Sequence, residues 1–203
     1  MIPDYWNDAL AHLSRRDKVL RKLIKAAPDA DLVTRGDAFE TLARSIVGQQ
    51  ISVKAAQSIW ARFAACVGKM TPANVTARED AALRACGFSR QKVVYVKDLA
   101  RHFASGEVKP RRWARMGDDA IINELIVVKG IGRWTVEMFL IFHLKRPNVL
   151  PVDDLGLRRA MERHYNRGKP LTRDRMRAIG AAWDPYCSAA TWYLWRSAAP
   201  VAL

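Results

Sequence analysis

Apolar residues recur three and four apart along nearly the whole chain, and this period constrains its fold more than any other feature. Phe39, Leu42, Ala43, Ile46 and Val47 share one helical face, as do Val53, Ala56, Ile59, Trp60 and Phe63, and then Val93, Val96, Leu99 and Phe103. No stretch alternates with the period of two that a half-buried strand needs. Breaks fall at Gly36, Gly48, Thr71-Pro72, Gly87, Gly106, Gly117, Gly130-Ile131-Gly132, Pro147, Gly168 and Asp184-Pro185, and Thr76 with Glu79 has the spacing of a capping box. The pattern predicts an all-α protein of about nine or ten helices joined by short loops. With 203 residues, half of them apolar, the chain can bury a core as one compact unit of two subdomains at most.

The 34 Lys and Arg outnumber the 20 Asp and Glu, for a formal charge of +14, well beyond what solubility requires. Such a field supplies non-specific phosphate contacts, so nucleic acid is the expected partner. Arg173, Arg175 and Arg177 also fit a solvated helix face, and the short run Lys109-Pro110-Arg111-Arg112 fits a solvated loop as well as a DNA contact. Three scattered cysteines, Cys66, Cys86 and Cys187, argue against a disulfide framework and against a cysteine-ligated metal or iron–sulfur site. No run of about eighteen uncharged apolar residues occurs, and the opening stretch has no basic segment leading into an apolar one. A cytoplasmic protein with no membrane partner is expected.

The window from Glu124 to Leu140 carries the most information. One helix runs into Gly130-Ile131-Gly132 and another begins near Arg133, with apolar positions at Trp134, Met138, Phe139 and Ile141. Two glycines one residue apart permit positive φ and let the backbone approach another body closely. The amides at the next helix N-terminus then suit a phosphate. Alone, such a pair is more often a helix stop and a turn. Further on, Leu150-Pro151-Val152-Asp153-Asp154-Leu155-Gly156 reads as a loop entering a helix. One aspartate is expected to cap that helix: for Asp153 a cap is the expected role rather than catalysis, and Asp154 taken by itself also reads as a cap.

The hairpin, the carboxylate Asp154 in register with it, and separated blocks at Phe39-Glu40 to Ser52, Leu83 to Phe88, Gly130 to Thr135, Val152 to Leu155 and Trp183 to Trp195 resemble the helix-hairpin-helix DNA glycosylase superfamily. Within it the chain is most similar to 3-methyladenine DNA glycosylase II, in a compact form without the N-terminal β domain. The resemblance covers roughly residues 37 to 197. It implies two helical subdomains flanking a DNA-binding cleft, one of about 37–145 containing the helix-hairpin-helix at about 118–144, the other formed by about 1–36 together with 146–203. It implies base flipping and hydrolysis of an N-glycosidic bond in double-stranded DNA carrying alkylated purines such as 3-methyladenine and 7-methylguanine, by a monomer.

The chemistry explains why those residue types are needed. A base inside a duplex is closed to hydrolysis, so it must be extruded and its gap filled. The resemblance assigns the backbone grip to Lys129, Gly130, Ile131, Gly132, Arg133 and Thr135, the wedge to Gln50 with Gln49 beside it, and the base pocket to Trp134, Met138 and Trp195. Cleavage builds positive charge at C1′, which a carboxylate stabilises; Asp154 is the candidate catalytic residue. A cationic alkylated base binds well on aromatic faces. No cofactor is required, although the resemblance implies a structural Na+ or K+ at the carbonyls of Ile126, Val128 and Ile131. Strand-cleaving relatives carry a lysine where this chain has Trp134, and neither Lys129 nor Lys145 matches it, so no lyase activity is expected. Two alternatives stand beside this reading: a non-catalytic helix-hairpin-helix DNA-binding module, and a related glycosylase for uracil or deaminated bases. Met138 in place of an aromatic and Lys129 in place of a proline leave the lesion range open.

Overall fold

The computed structural model describes residues 2–27 and 37–198; the Gly36 break and the subdomain boundary near residue 36 lie outside them. The described residues form twelve α-helices, two 3-10 helices and no strand. In chain order these are α1 (Trp6–Arg16), α2 (Lys18–Ala26), α3 (Ala38–Gly48), α4 (Val53–Val67), α5 (Pro72–Thr76), α6 (Asp80–Ala85) and α7 (Arg90–Ala104). The 3-10 helix Pro110–Arg115, α8 (Asp118–Leu125), α9 (Arg133–Phe142), α10 (Leu155–Tyr165) and α11 (Arg173–Gly180) follow, then the 3-10 helix Ala181–Trp183 and α12 (Cys187–Ala198). None is long and apolar enough to cross a membrane.

Most starts follow from capping chemistry. Asp17, Asp37, Ser52, Thr71, Ser89 and Thr172 each accept a backbone N–H from the first turn of the helix they precede. The capping box expected at Thr76 and Glu79 does not form. Thr76 ends α5 and its hydroxyl donates to the Pro72 carbonyl (2.9 Å), while Glu79 precedes α6 without a side-chain cap.

The chain divides into two compact units, Met1–Thr34 with Leu140–Leu203, and Arg35–Phe139. The second division falls inside α9, a few residues before the expected 145, and ring packing explains it. Phe139 meets Trp113 edge-on, 5.3 Å between centroids, whereas Phe142 stacks on Trp195 at 5.6 Å.

The discontinuous unit buries Trp6, Leu13, Leu20, Met161, Trp183 and Tyr193 in one core. Asp17 ties its helices together. One carboxylate oxygen accepts the Val19 and Leu20 amides (2.8 and 3.0 Å), and the other accepts Tyr165 Oη (2.8 Å) and Trp183 Nε1 (2.9 Å). The continuous unit buries Phe39, Leu42, Ile46, Phe63, Leu83, Val96, Leu99, Trp113 and Leu125. At roughly 25 cal/mol per Å2 of apolar surface, each such side chain contributes about 1.5–3 kcal/mol.

Candidate active site

Within the continuous unit, α3 stops at Gly48 and the turn to α4 passes through Gln49 and Gln50. Gln50 is exposed and adopts φ 59°, a left-handed conformation that costs a non-glycine residue about 1–2 kcal/mol. Neighbouring groups hold the turn. Lys92 Nζ donates to the Val47 and Gln49 carbonyls (2.6 and 2.8 Å), and Gln49 Nε2 donates to the Gly130 carbonyl (2.7 Å). Burial lowers the Lys92 pKa. Gln49, grouped with Gln50 as wedge by the sequence, is therefore a brace: its amide is committed to the hairpin, and Gln50 alone stands at the exposed tip.

The hairpin joins α8 to α9. Val128 N–H donates to the Leu125 carbonyl and Ile131 N–H to the Val128 carbonyl, both at 3.1 Å. Buried Val128 and Ile131 anchor it beneath exposed Lys129 and Gly132. Gly130 has φ 81°, and a Cβ there would lie 2.1 Å from the Tyr95 ring. Only glycine fits. Gly132 has open space and no positive φ, so only the first glycine is conformationally demanded.

Two residues expected to contact the DNA backbone also have partners or positions inside the protein. Arg133 spans the hairpin helices, its guanidinium donating to Asp119 Oδ1 (3.1 Å) and Glu137 Oε1 (3.2 Å), so it braces the hairpin from within. The hydrogen bond it donates to Asp119 leads the causes that raise its pKa. Thr135 is buried and belongs to a cavity wall. That cavity, of about 400 Å3, is lined by Ser45, Gly48, Gln49, Gln50, Trp134, Thr135 and Met138. It brings the expected pocket residues Trp134 and Met138 beside the turn that carries Gln50. Trp134 is 47% exposed, so part of its ring is open to a ligand at this cavity. Among the described residues, no lysine lines the cavity.

The other unit carries Asp154. Asp154 is the N-cap of α10, its Oδ1 accepting the Leu157 amide at 2.6 Å, while exposed Asp153, for which a cap was expected, pairs with Arg173. The same Oδ1 accepts Trp195 Nε1 at 2.7 Å. Trp195, assigned by the sequence to the base pocket with Trp134 and Met138, orients the Asp154 carboxylate and stacks on Phe142 at an interplanar angle of 15°. A Cβ on Gly156 would lie 3.2 Å from Asp154 Oδ1 and 3.3 Å from the Trp195 ring, so the glycine leaves room for this pairing. Asp154 is 9% exposed. A buried carboxylate held by two N–H donors at a helix N-terminus is a fixed negative group, suited to stabilising positive charge that develops close by.

Sequence reading missed Lys92, Tyr95 and Asp98, which lie three residues apart on α7. Asp98 Oδ2 accepts the Lys129 amide at 2.8 Å. Their spacing was available in the sequence; their partners, mostly backbone groups of distant turns, were not.

These features define a helical base-excision protein. Residues 43–185 match the family described as HhH-GPD superfamily base excision DNA repair protein, and the chain belongs to that family. It is 34% identical over 194 residues to DNA-3-methyladenine glycosylase 1 of Schizosaccharomyces pombe, covering 92% of this chain and 85% of that protein. It is similar to the solved S. pombe 3-methyladenine DNA glycosylase in complex with abasic DNA (TM-score 0.80, 33% identity, 94% of this chain and 96% of that one). A DNA-3-methyladenine glycosidase from Bacillus halodurans matches with TM-score 0.87 at 34% identity, covering 94% and 88%.

Proposed function

We propose that this chain, acting as a monomer on double-stranded DNA, everts alkylated purines such as 3-methyladenine and 7-methylguanine and hydrolyses their N-glycosidic bond, leaving an abasic site. The observation that carries this reading is Asp154, a buried carboxylate whose Oδ1 is fixed by the Leu157 amide and the Trp195 indole. The curated and solved relatives named for 3-methyladenine support the substrate class.

The reaction follows from the residue types. Hairpin amides and the basic surface grip phosphates, Gln50 fills the gap left by the base, and Trp134 offers its exposed face to the cationic ring. The C1′–N bond breaks with its electron pair passing to the base, which leaves neutral because it was positively charged. Asp154 stabilises the oxocarbenium-like sugar, and water adds to C1′ and gives up its proton to solvent. No general acid is needed. Among the described residues, Schiff-base chemistry has no lysine in the cavity, and the nearby Lys92 amine is occupied by two carbonyls, so the strand is expected to stay intact. The carbonyls of Ile126, Val128 and Ile131 are neutral oxygen donors of the kind alkali cations accept, and we propose Na+ or K+ there. Replacing these salts with a tetramethylammonium salt at constant ionic strength should weaken binding to DNA.

The test is incubation with alkylated DNA, measuring free 3-methyladenine and 7-methylguanine, beside duplexes containing hypoxanthine or uracil. Release of the alkylated purines with intact abasic strands is expected. Preferential release of hypoxanthine or uracil would redirect the activity to deaminated bases, and binding without release would leave a DNA-binding module.

A further inference from the structure

Lys92, Tyr95 and Asp98 stand at i, i+3 and i+6 on α7 and so share one helical face. Each holds part of a common assembly. Lys92 donates to Val47 and Gln49, at the end of the helix that leads to Gln50. The Tyr95 ring lies against Gly130, where a Cβ would collide with it. Asp98 accepts the Lys129 amide (2.8 Å). The Gln49 amide closes the circuit by donating to Gly130 (2.7 Å). The Gln50 turn and the hairpin are thus tied to one helix and directly to each other.

We infer that Lys92 is a positioning residue for base eversion: together with Gln49 it locks the Gln50 turn to the hairpin, so that wedge and phosphate grip meet DNA as one piece. The inference rests on the reading of Gln50 as the wedge. An ammonium suits the task because it is a compact charge with several donors, placed at the C-terminal end of α3 where carbonyls lack intrahelical partners and a cation is favoured. The left-handed φ of Gln50 makes the clamp matter. Without it the turn can relax into ordinary backbone geometry and carry the tip away from the base stack.

The experiment uses two substrates for single-turnover excision: 7-methylguanine paired in duplex DNA, and 7-methylguanine opposite an abasic analogue, where part of the unstacking is already made. Lys92→Met should slow excision of the paired lesion about tenfold, the scale of one charge-assisted hydrogen bond, and change the unpaired one by about twofold at most. Gln49→Leu, which removes the bond to Gly130 but keeps the ammonium, should give a smaller loss with the same selectivity. Combining Lys92→Met with Gln50→Ala should lose no more than Gln50→Ala alone. The salt dependence of DNA binding should be unchanged by Lys92→Met. Equal loss on both substrates, additive loss in the double variant, or a salt slope reduced by about one phosphate contact would each overturn the inference. Wild-type excision by Gln50→Ala beside a slow, paired-selective Lys92→Met would instead remove the wedge reading and leave a clamp acting through the hairpin. Wild-type rates in both would remove both.

Discussion

Gln50 and Asp154 both sit at helix boundaries, yet they are held in opposite ways. Gln50 is exposed, in a left-handed turn kept in place from behind by Lys92 and Gln49. Asp154 is buried and gripped through its own side chain by the Leu157 amide and the Trp195 indole. The contrast follows from the tasks assigned to them. A group that enters a base stack must keep its side chain available, so its backbone is fixed instead. A group that stabilises charge at one atom must have its carboxylate fixed, and it can be buried because only its electric field acts.

The largest expected effect breaks the Asp154 side. Asp154→Asn retains a good helix cap, since asparagine caps as well as aspartate, and removes only the charge. Excision should fall by a hundredfold or more, on the order seen when a preorganised electrostatic group is lost, measured as single-turnover release. Gly130→Ala strikes the other side. It forces a left-handed alanine into the Tyr95 ring, costing about 2–4 kcal/mol locally, and should weaken DNA binding strongly while leaving the Asp154 surroundings unchanged. Trp195→Phe sharpens the comparison, because it keeps a ring against Phe142 and loses the donor to Asp154. About a tenfold lower kcat with KM little changed is expected.

The smallest effect is pH-dependent and belongs to the hairpin clamp. Burial alone would raise the Asp98 carboxyl, but the Lys129 amide, His102 and Arg101 outweigh burial and hold it below the usual carboxylate range. Its folded value therefore lies below the unfolded one, and its stabilisation is full above the ordinary aspartate range and lost as pH falls through the depressed value. Denaturant titrations should show Asp98→Asn less stable than wild type at neutral pH, with the gap closing in acid.

Much of this organisation was legible in the chain. The 3.6-residue period gave the long helices, and the punctuating glycines gave the hairpin, because both leave repeated or extreme signatures. Helices α5 and α6, of five and six residues, are too short to carry a legible period. Asp154 was found by its register with Gly130, but two adjacent aspartates are equivalent as caps until the backbone decides which one faces the Leu157 amide. The adjacent glutamines pose the same problem, resolved by the left-handed turn that sends Gln49 back to Gly130. The α7 face was invisible for another reason. Lys92, Tyr95 and Asp98 are ordinary helical surface residues, and what distinguishes them is the turns that the fold brings onto them.

The division of labour between Gln50 and Asp154 is tested most directly by fluorescence of 2-aminopurine placed beside 7-methylguanine in duplex DNA, read with Asp154→Asn. A full eversion signal with no base released is expected, because the wedge and its clamp are intact and only the charge at C1′ is gone. Loss of the eversion signal, or release at the wild-type rate, would contradict the separation of the two roles.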